Sequence, residues 1–252
     1  DSGALVLNYS AMELYYQQQG RDWERYAMIK ARLISGSAEQ AKPLFSMLKS
    51  FTYRRYIDFS AIDALRDLKR QIVREMAKRG MSENIKLGRG GIREIEFVVQ
   101  SFQLIHGGRD RDLQQIAVLD NLDQLRAKNF LDAELVHQLK AAYRFLRDVE
   151  HLLQGWRDQQ TQQLPSDESA RARLAWLMGF EHWEAFYAQL NVHRAHVQQA
   201  FDEIIASPEE PTENTWQSIW EGVALAPDSP LSGAEGIEQE VQELADAGFS
   251  EP

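Results

Sequence analysis

Apolar residues recur at helical spacing along most of this chain. Positions 135, 139, 142, 146, 149, 153 and 156 are Leu, Leu, Ala, Leu, Val, Leu and Trp, a three-four alternation sustained over three heptads that predicts a long helix with one buried seam. Positions 183, 187, 190, 197, 201 and 204 repeat the spacing, interrupted only by Arg194, so a second long helix can lie antiparallel to the first. Between them the polar stretch Thr161 to Asp167 carries Pro165 and reads as a turn. Upstream, Ser10 is a candidate cap for a helix to about Gln19, Gly20 ends it, and another helix runs from Arg21 to about Leu33. Ser60 opens a helix whose Ile62, Leu65, Ile72 and Met76 face inward until Gly80, and a shorter helix spans about Leu113 to Lys128. Only Ala4 to Tyr9 reads as a strand. No repeat of 20 to 50 residues supports a solenoid. The fold class expected is an all-α, long-helix bundle.

Composition modifies this picture mainly at one end. The 252 residues include 44% hydrophobic residues, enough for a substantial core, and no cysteine, which excludes disulfides, thiolate metal sites and cysteine nucleophiles. No apolar run approaches the roughly 20 residues needed to span a bilayer, and the first residues lack the pattern of a signal peptide, so no membrane partner and a cytoplasmic location are expected. A chain opening on Asp1 instead of Met reads as a piece of a longer protein. The net charge is −10, but residues 207–252 hold 11 Asp and Glu and no Lys or Arg, which leaves residues 1–206 at +1. Five of the seven prolines also fall there, so 207–252 reads as an acidic linker or the start of a next domain. Within it, Thr215 to Leu225 and Ile237 to Ala247 are candidate short helices, with Trp216, Ile219 and Trp220 as an apolar stripe. A near-neutral main body argues against a nucleic-acid partner.

Candidate chemistry concentrates at Lys86-Leu-Gly-Arg-Gly-Gly-Ile-Arg-Glu-Ile-Glu-Phe97. Glycines at 88, 90 and 91 permit a tight turn, and the helix that follows offers unpaired N–H groups and a positive dipole end, an arrangement able to hold an anion. In that helix Ile95, Val99 and Phe102 face the core, which leaves Arg93, Glu96, Gln100 and Gln103 on a polar stripe. Arg21, Arg25 and Arg32 form a basic stripe with Lys30 near it, and Arg54 and Arg55 sit between Tyr53 and Tyr56. Arg144, Arg147, His151 and Gln154 recur on the face opposite the long seam, with Glu150 as an ion-pair partner. Asp110-Arg-Asp112 reads as a solvated turn or helix cap, and His193 and His196 as structural histidines; no metal site is expected within the chain.

The stretch Gly90-Gly-Ile-Arg-Glu-Ile-Glu-Phe97 resembles the signature of the glutamine synthetase adenylyltransferase and adenylyl-removing enzyme family, in the form found in the amino-terminal, deadenylylating half. Gly20 to Arg32, and Leu146 to Gln154 followed by Asp158 to Pro165, agree with it in order, so the likeness covers about residues 1–206. The resemblance implies a polymerase-β-like nucleotidyltransferase domain ending within residues 1–34, a helical bundle domain over 35–206, and metal carboxylates upstream of residue 1. The implied reaction is phosphorolysis of AMP from a tyrosine of glutamine synthetase to give ADP, with Mg²⁺ as cofactor, ATP, ADP and phosphate as substrates or products, and control by the PII signal protein. On that basis Lys86, Gly90, Gly91 and Arg93 are candidates for the phosphate or nucleotide side, and Glu94 and Glu96 for orienting those cations or a metal-bound water. The alternative is a non-catalytic docking module that binds glutamine synthetase or PII.

Overall fold

A computed structural model describes residues 6–54, 83–155 and 161–204, all within one compact unit bounded by residues 1 and 207. The expected Ser60 to Gly80 helix, Arg55, Tyr56, Trp156 and everything beyond Ile204 lie outside the described residues. Eight α-helices occur among the described residues, with no strand beyond an isolated antiparallel bridge between Asn84 and Gln163. The all-α bundle expectation holds.

The amino-terminal layer comprises α1 (Tyr9–Gln18), α2 (Asp22–Met28) and α3 (Ala38–Thr52). The expected strand over residues 4–9 is not formed in its described part: residues 6–8 are irregular, and Asn8, not Ser10, caps α1 by accepting the Ala11 N–H at 2.9 Å. Helix α2 is shorter than the spacing predicts. At its start the Glu24 carboxylate accepts the Arg21 N–H at 2.9 Å and the Tyr15 hydroxyl at 2.9 Å. The sequence pattern did not reveal α3, because Pro43 interrupts it.

The central layer is α4 (Ile92–His106), followed by a 3₁₀ turn over Arg111–Leu113 and α5 (Val118–Ala127). The long helices are α6 (Ala133–Gly155) and α8 (Trp183–Ile204), with α7 (Glu168–Leu177) between them. Asp132 and Asp167 cap α6 and α7, each accepting a backbone N–H at 2.8 Å. The α6 seam is as expected from Leu139 to Leu153, except that it starts at Val136 in place of Leu135, which is half-buried. Phe145 of α6 stacks on Phe186 of α8 at 5.9 Å, and Phe97 of α4 meets Phe201 of α8 at 5.6 Å, so α8 packs against both.

Helix α4 is the hub of this core. Thirteen of its fifteen residues are buried, including the whole expected polar stripe past its first turn. Gln100 and Gln103 therefore do not form a solvated face. The Gln103 amide donates to the carbonyls of Leu113 and Gln115 at 2.7 and 2.8 Å, which satisfies a buried polar group and fixes the following turn. Only Arg93, exposed, and Glu96, half-buried, carry α4 to the surface.

Candidate functional site

The glycine-rich turn is built from backbone accounting. Asn84 folds it: its side-chain oxygen accepts the N–H groups of Lys86 and Leu87, and its carbonyl accepts the Gly88 N–H. The Gly91, Ile92, Arg93 and Glu94 N–H groups then go to the carbonyls of Gly88, Ile85, Lys86 and Gly91 at 3.0 to 3.2 Å. The Gly90 N–H goes to the Glu94 carboxylate at 2.8 Å. The turn thus already holds an anion, the side chain of its own helix. These N–H groups are engaged within the turn, so Gly90, Gly91 and Glu94 hold its backbone together.

Close packing explains why glycine stands at 90. Gly90 has φ +67°, and a Cβ there would lie 2.2 Å from the Arg194 carbonyl oxygen of α8. Arg194, the residue that interrupts the apolar spacing of α8, donates to the Asn84 carbonyl at 3.1 Å. Behind the turn, the Ile85 and Leu164 N–H groups bond to the carbonyls of Gln162 and Glu83 at 3.0 Å. Thr161 to Pro165 is therefore the buttress of the turn.

The side chains on the other side of the turn meet two further helices. Glu150 of α6 is buried, with its carboxylate 3.3 Å from Lys86 Nζ and 2.5 Å from Arg147 Nη1. The sequence had placed Glu150 on an exposed polar face. In the structure it bridges the turn to α6, and Arg147 is held rather than freely solvated. From the amino-terminal layer, Tyr26 packs its ring on Phe97 at 5.6 Å, and Lys30 donates to the Ile116 carbonyl at 2.9 Å.

Electrostatics ties these groups to Glu96. Burial pushes the Tyr26 phenol well above its ordinary range, with Glu96 acting in the same direction and Arg93 against it. Tyr143 of α6 is raised in the same way, by burial first and then by Glu96. Lys30 is lowered by burial, with Glu96 opposing and Arg147 adding to the effect. Four cations, Lys30, Lys86, Arg93 and Arg147, thus share this region with two carboxylates, Glu96 and Glu150. Arg93 and Glu96 make no ion pair among the described residues, and the hydroxyls of Tyr26 and Tyr143 have no hydrogen-bond partner there. Among the described residues, cations outnumber carboxylates here.

Comparison with known proteins identifies the family. Residues 1–47 match the family described as glutamate-ammonia ligase adenylyltransferase, and residues 66–205 match that described as GlnD PII-uridylyltransferase. The bifunctional glutamine synthetase adenylyltransferase/adenylyl-removing enzyme of Pseudomonas aeruginosa is 47% identical over 259 aligned residues, which cover 98% of this chain and 25% of that protein. The proteins of the same name from Pseudomonas putida and Pseudomonas syringae are 45% and 46% identical, over 100% and 98% of this chain and 25% of each relative. The chain belongs to the glutamine synthetase adenylyltransferase family.

It spans about a quarter of the length of these curated relatives. The three segments that carry the family resemblance come together at the cluster: Tyr26 and Lys30 from the first, Lys86, Arg93 and Glu96 from the second, Arg147 and Glu150 from the third. Of the expected site residues, Lys86, Arg93 and Glu96 thus gather here. Sequence reasoning left Tyr26, Tyr143 and Glu150 without a role in a site. Burial of Glu150 beside Val149 of the seam appears only in the folded helix.

Other expectations resolve more simply. Arg25 is not part of a basic stripe: it is buried, donates to the Thr52 carbonyl at 3.1 and 3.2 Å, and so ties α2 to the end of α3. Asp110 caps the 3₁₀ turn through the Asp112 N–H, and Lys128 bridges both aspartates. His193 lies against the Phe145 ring at 4.6 Å, its pKa lowered by burial and then by His196. No group of three His, Asp or Glu able to hold a metal occurs among the described residues. No described helix is long and apolar enough to cross a membrane.

Proposed function

We propose that this chain is the helical part of the adenylyl-removing half of a glutamine synthetase adenylyltransferase, and that the Arg93–Glu96 surface faces the phosphate side of that reaction. The observation that supports this reading is the convergence of the three family segments on one small positive cluster, at the only two positions where α4 reaches the surface. In the reaction, an oxygen of inorganic phosphate attacks the adenylyl phosphorus. The new anhydride bond gives ADP, and the bond to the tyrosine oxygen breaks with the proton passing to the phenol. Negative charge on the transferring group is stabilised by fixed cations, and exposed Arg93 is the one at the surface of the turn, with Lys86 held by buried Glu150.

Mg²⁺ would supply neutralisation of the charge that develops in such a reaction. The described residues supply no metal-binding set, so this part of the protein binds and orients, and no step is assigned to a metal held by it. The PII signal protein enters as the partner that controls the reaction. The test is release of ADP from adenylylated glutamine synthetase by the full-length protein. Arg93→Ala and Glu96→Ala are expected to lower that rate at least a hundredfold with the thermal midpoint almost unchanged, because truncating exposed polar residues costs under about 0.5 kcal/mol. Near-normal release by both variants would remove the reading and favour a docking module.

A further inference from the structure

We propose that the cleft between α3, the end of α2 and residues 114–120 is a binding site for a small amphipathic carboxylate, with the apolar body of the ligand along α3 and its head on Arg32 and Lys49. The site shares no residue with the Arg93–Glu96 surface and does not depend on the reading given to that surface.

The cleft follows from how α3 is used. Ala38, Ala41, Phe45, Leu48, Lys49 and Thr52 recur at helical spacing, so one face of α3 lines the cleft along the length of the helix. The middle of that face is apolar, where an amphipathic helix ordinarily meets a second helix. Here the facing wall is the irregular segment 114–117 and the start of α5. Ile29, Ala41 and Leu48 are buried and form the floor, whereas Leu33 and Ile116 are exposed at the rim. Lys30 holds the two walls together, its Nζ donating to the Ile116 carbonyl at 2.9 Å. The enclosed volume is about 610 Å³. Sites for small organic molecules typically enclose about 300–1,000 Å³ within mainly apolar walls that carry a few polar groups.

Those few polar groups select the ligand. Thr52, 1% exposed, lines the cleft with a hydroxyl that has no hydrogen-bond partner among the described residues. Its carbonyl is already taken by Arg25, at 3.1 and 3.2 Å. A buried hydroxyl left unpaired is costly, so an occupant that brings it a polar group is favoured. Arg32, the member of the basic stripe that stands apart from buried Arg25, lines the cleft with Lys49, and both are exposed. Asp120 is the carboxylate of the lining. None of these three makes an ion pair among the described residues. Two cations against one carboxylate leave an excess of one positive charge, which fits a monoanion and disfavours a cation. Apolar walls give a small inorganic anion nothing in return for its hydration. An apolar chain or ring that ends in a carboxylate satisfies the walls and the charge together, and the Arg32 guanidinium has the fork geometry that matches a carboxylate.

The experiment is calorimetric titration of the 252-residue chain at pH 7 with sodium octanoate, sodium acetate and octyltrimethylammonium chloride, the octyl compounds kept below micelle formation. Octanoate is expected to bind at a single site, at least tenfold more tightly than either control. Arg32→Gln combined with Lys49→Gln should weaken octanoate at least tenfold, and Ala41→Phe, which fills the floor, should abolish its binding. Circular dichroism identifies any misfolding of Ala41→Phe, in which case the double variant decides, because exposed Arg32 and Lys49 contribute little to the fold. No octanoate binding, equal binding of octanoate and the octyl cation, or octanoate binding that survives the double variant would overturn the site. A chain that sediments as a dimer, and as a folded monomer once Ala41→Phe is introduced, would assign the cleft to a second copy instead.

Discussion

Gly90 shows how one residue can be fixed by two independent requirements. Its φ of +67° disfavours any L side chain by about 1–2 kcal/mol, and the Arg194 carbonyl occupies the space a methyl group would need. Gly36 shares the first requirement, with φ +102°, but has nothing within 4 Å. Gly90→Ala is therefore expected to destabilise the protein by about 3 kcal/mol or more, and Gly36→Ala by about 1 kcal/mol, as read from urea unfolding midpoints. Equal effects would mean that the contact with α8 can yield. The glycines themselves were legible as a turn. What they do was not, because the N–H groups that suggest an anion cradle are taken by Glu94 and by carbonyls, and hydrogen-bond partners are a property of the closed turn.

At the scale of an element, α4 combines a buried body with a two-residue opening. The sequence predicted its start, length and core residues Ile95, Val99 and Phe102, and assigned Gln100 and Gln103 to solvent. Burial overrides that assignment because the Gln103 amide is satisfied by the carbonyls of Leu113 and Gln115, a bond between segments that periodicity cannot express. The same helix ends in His106, stacked on Phe130 at 4.2 Å. Burial, assisted by Arg109 and opposed by Asp110, lowers its pKa to about 4. Since the folded value lies below the unfolded one, the unfolded chain binds more protons between these values, and stability falls as pH drops from about 6.5 towards 4. The loss attributable to this group should approach about 3 kcal/mol. His106→Leu should flatten that part of a stability profile relative to the parent protein, whereas parallel profiles would show that the imidazole does not titrate differently on folding.

For the whole molecule the decisive fact is that segments 20–32, 86–97 and 146–154, far apart along the chain, close on one another through Tyr26, Lys86 and Glu150. An arrangement made of cations, hydroxyls and two carboxylates can bind and orient an anion, but it cannot by itself align a phosphoryl transfer that needs two metal ions. The 252-residue chain alone is accordingly expected to give no Mg²⁺-dependent ADP from adenylylated glutamine synthetase and phosphate, in an assay where the full-length protein does. Measurable turnover by the isolated chain would show that a catalytic metal set lies within it.

Local pattern determined the helical class, the α6 seam from Leu139, the turn at 88–91 and the family, because each depends on residues within a few turns of one another; the α8 seam held from Leu190 onward but opens on Phe186 in place of half-buried Trp183 and Tyr187. It also marked Arg194 as an interruption without giving a reason. Tertiary structure decided which polar residues are buried in joining segments and which stay at the surface. Arg25, Gln103, Glu94 and Arg194 look in sequence like any other surface polar groups, yet each is occupied in joining one segment to another. Arg93 and Glu96 make no ion pair among the described residues and stay at the surface of α4. A buried charge or amide must find its partner wherever the chain brings one, for Arg194 as far as 110 residues away, and that partner is invisible to periodicity.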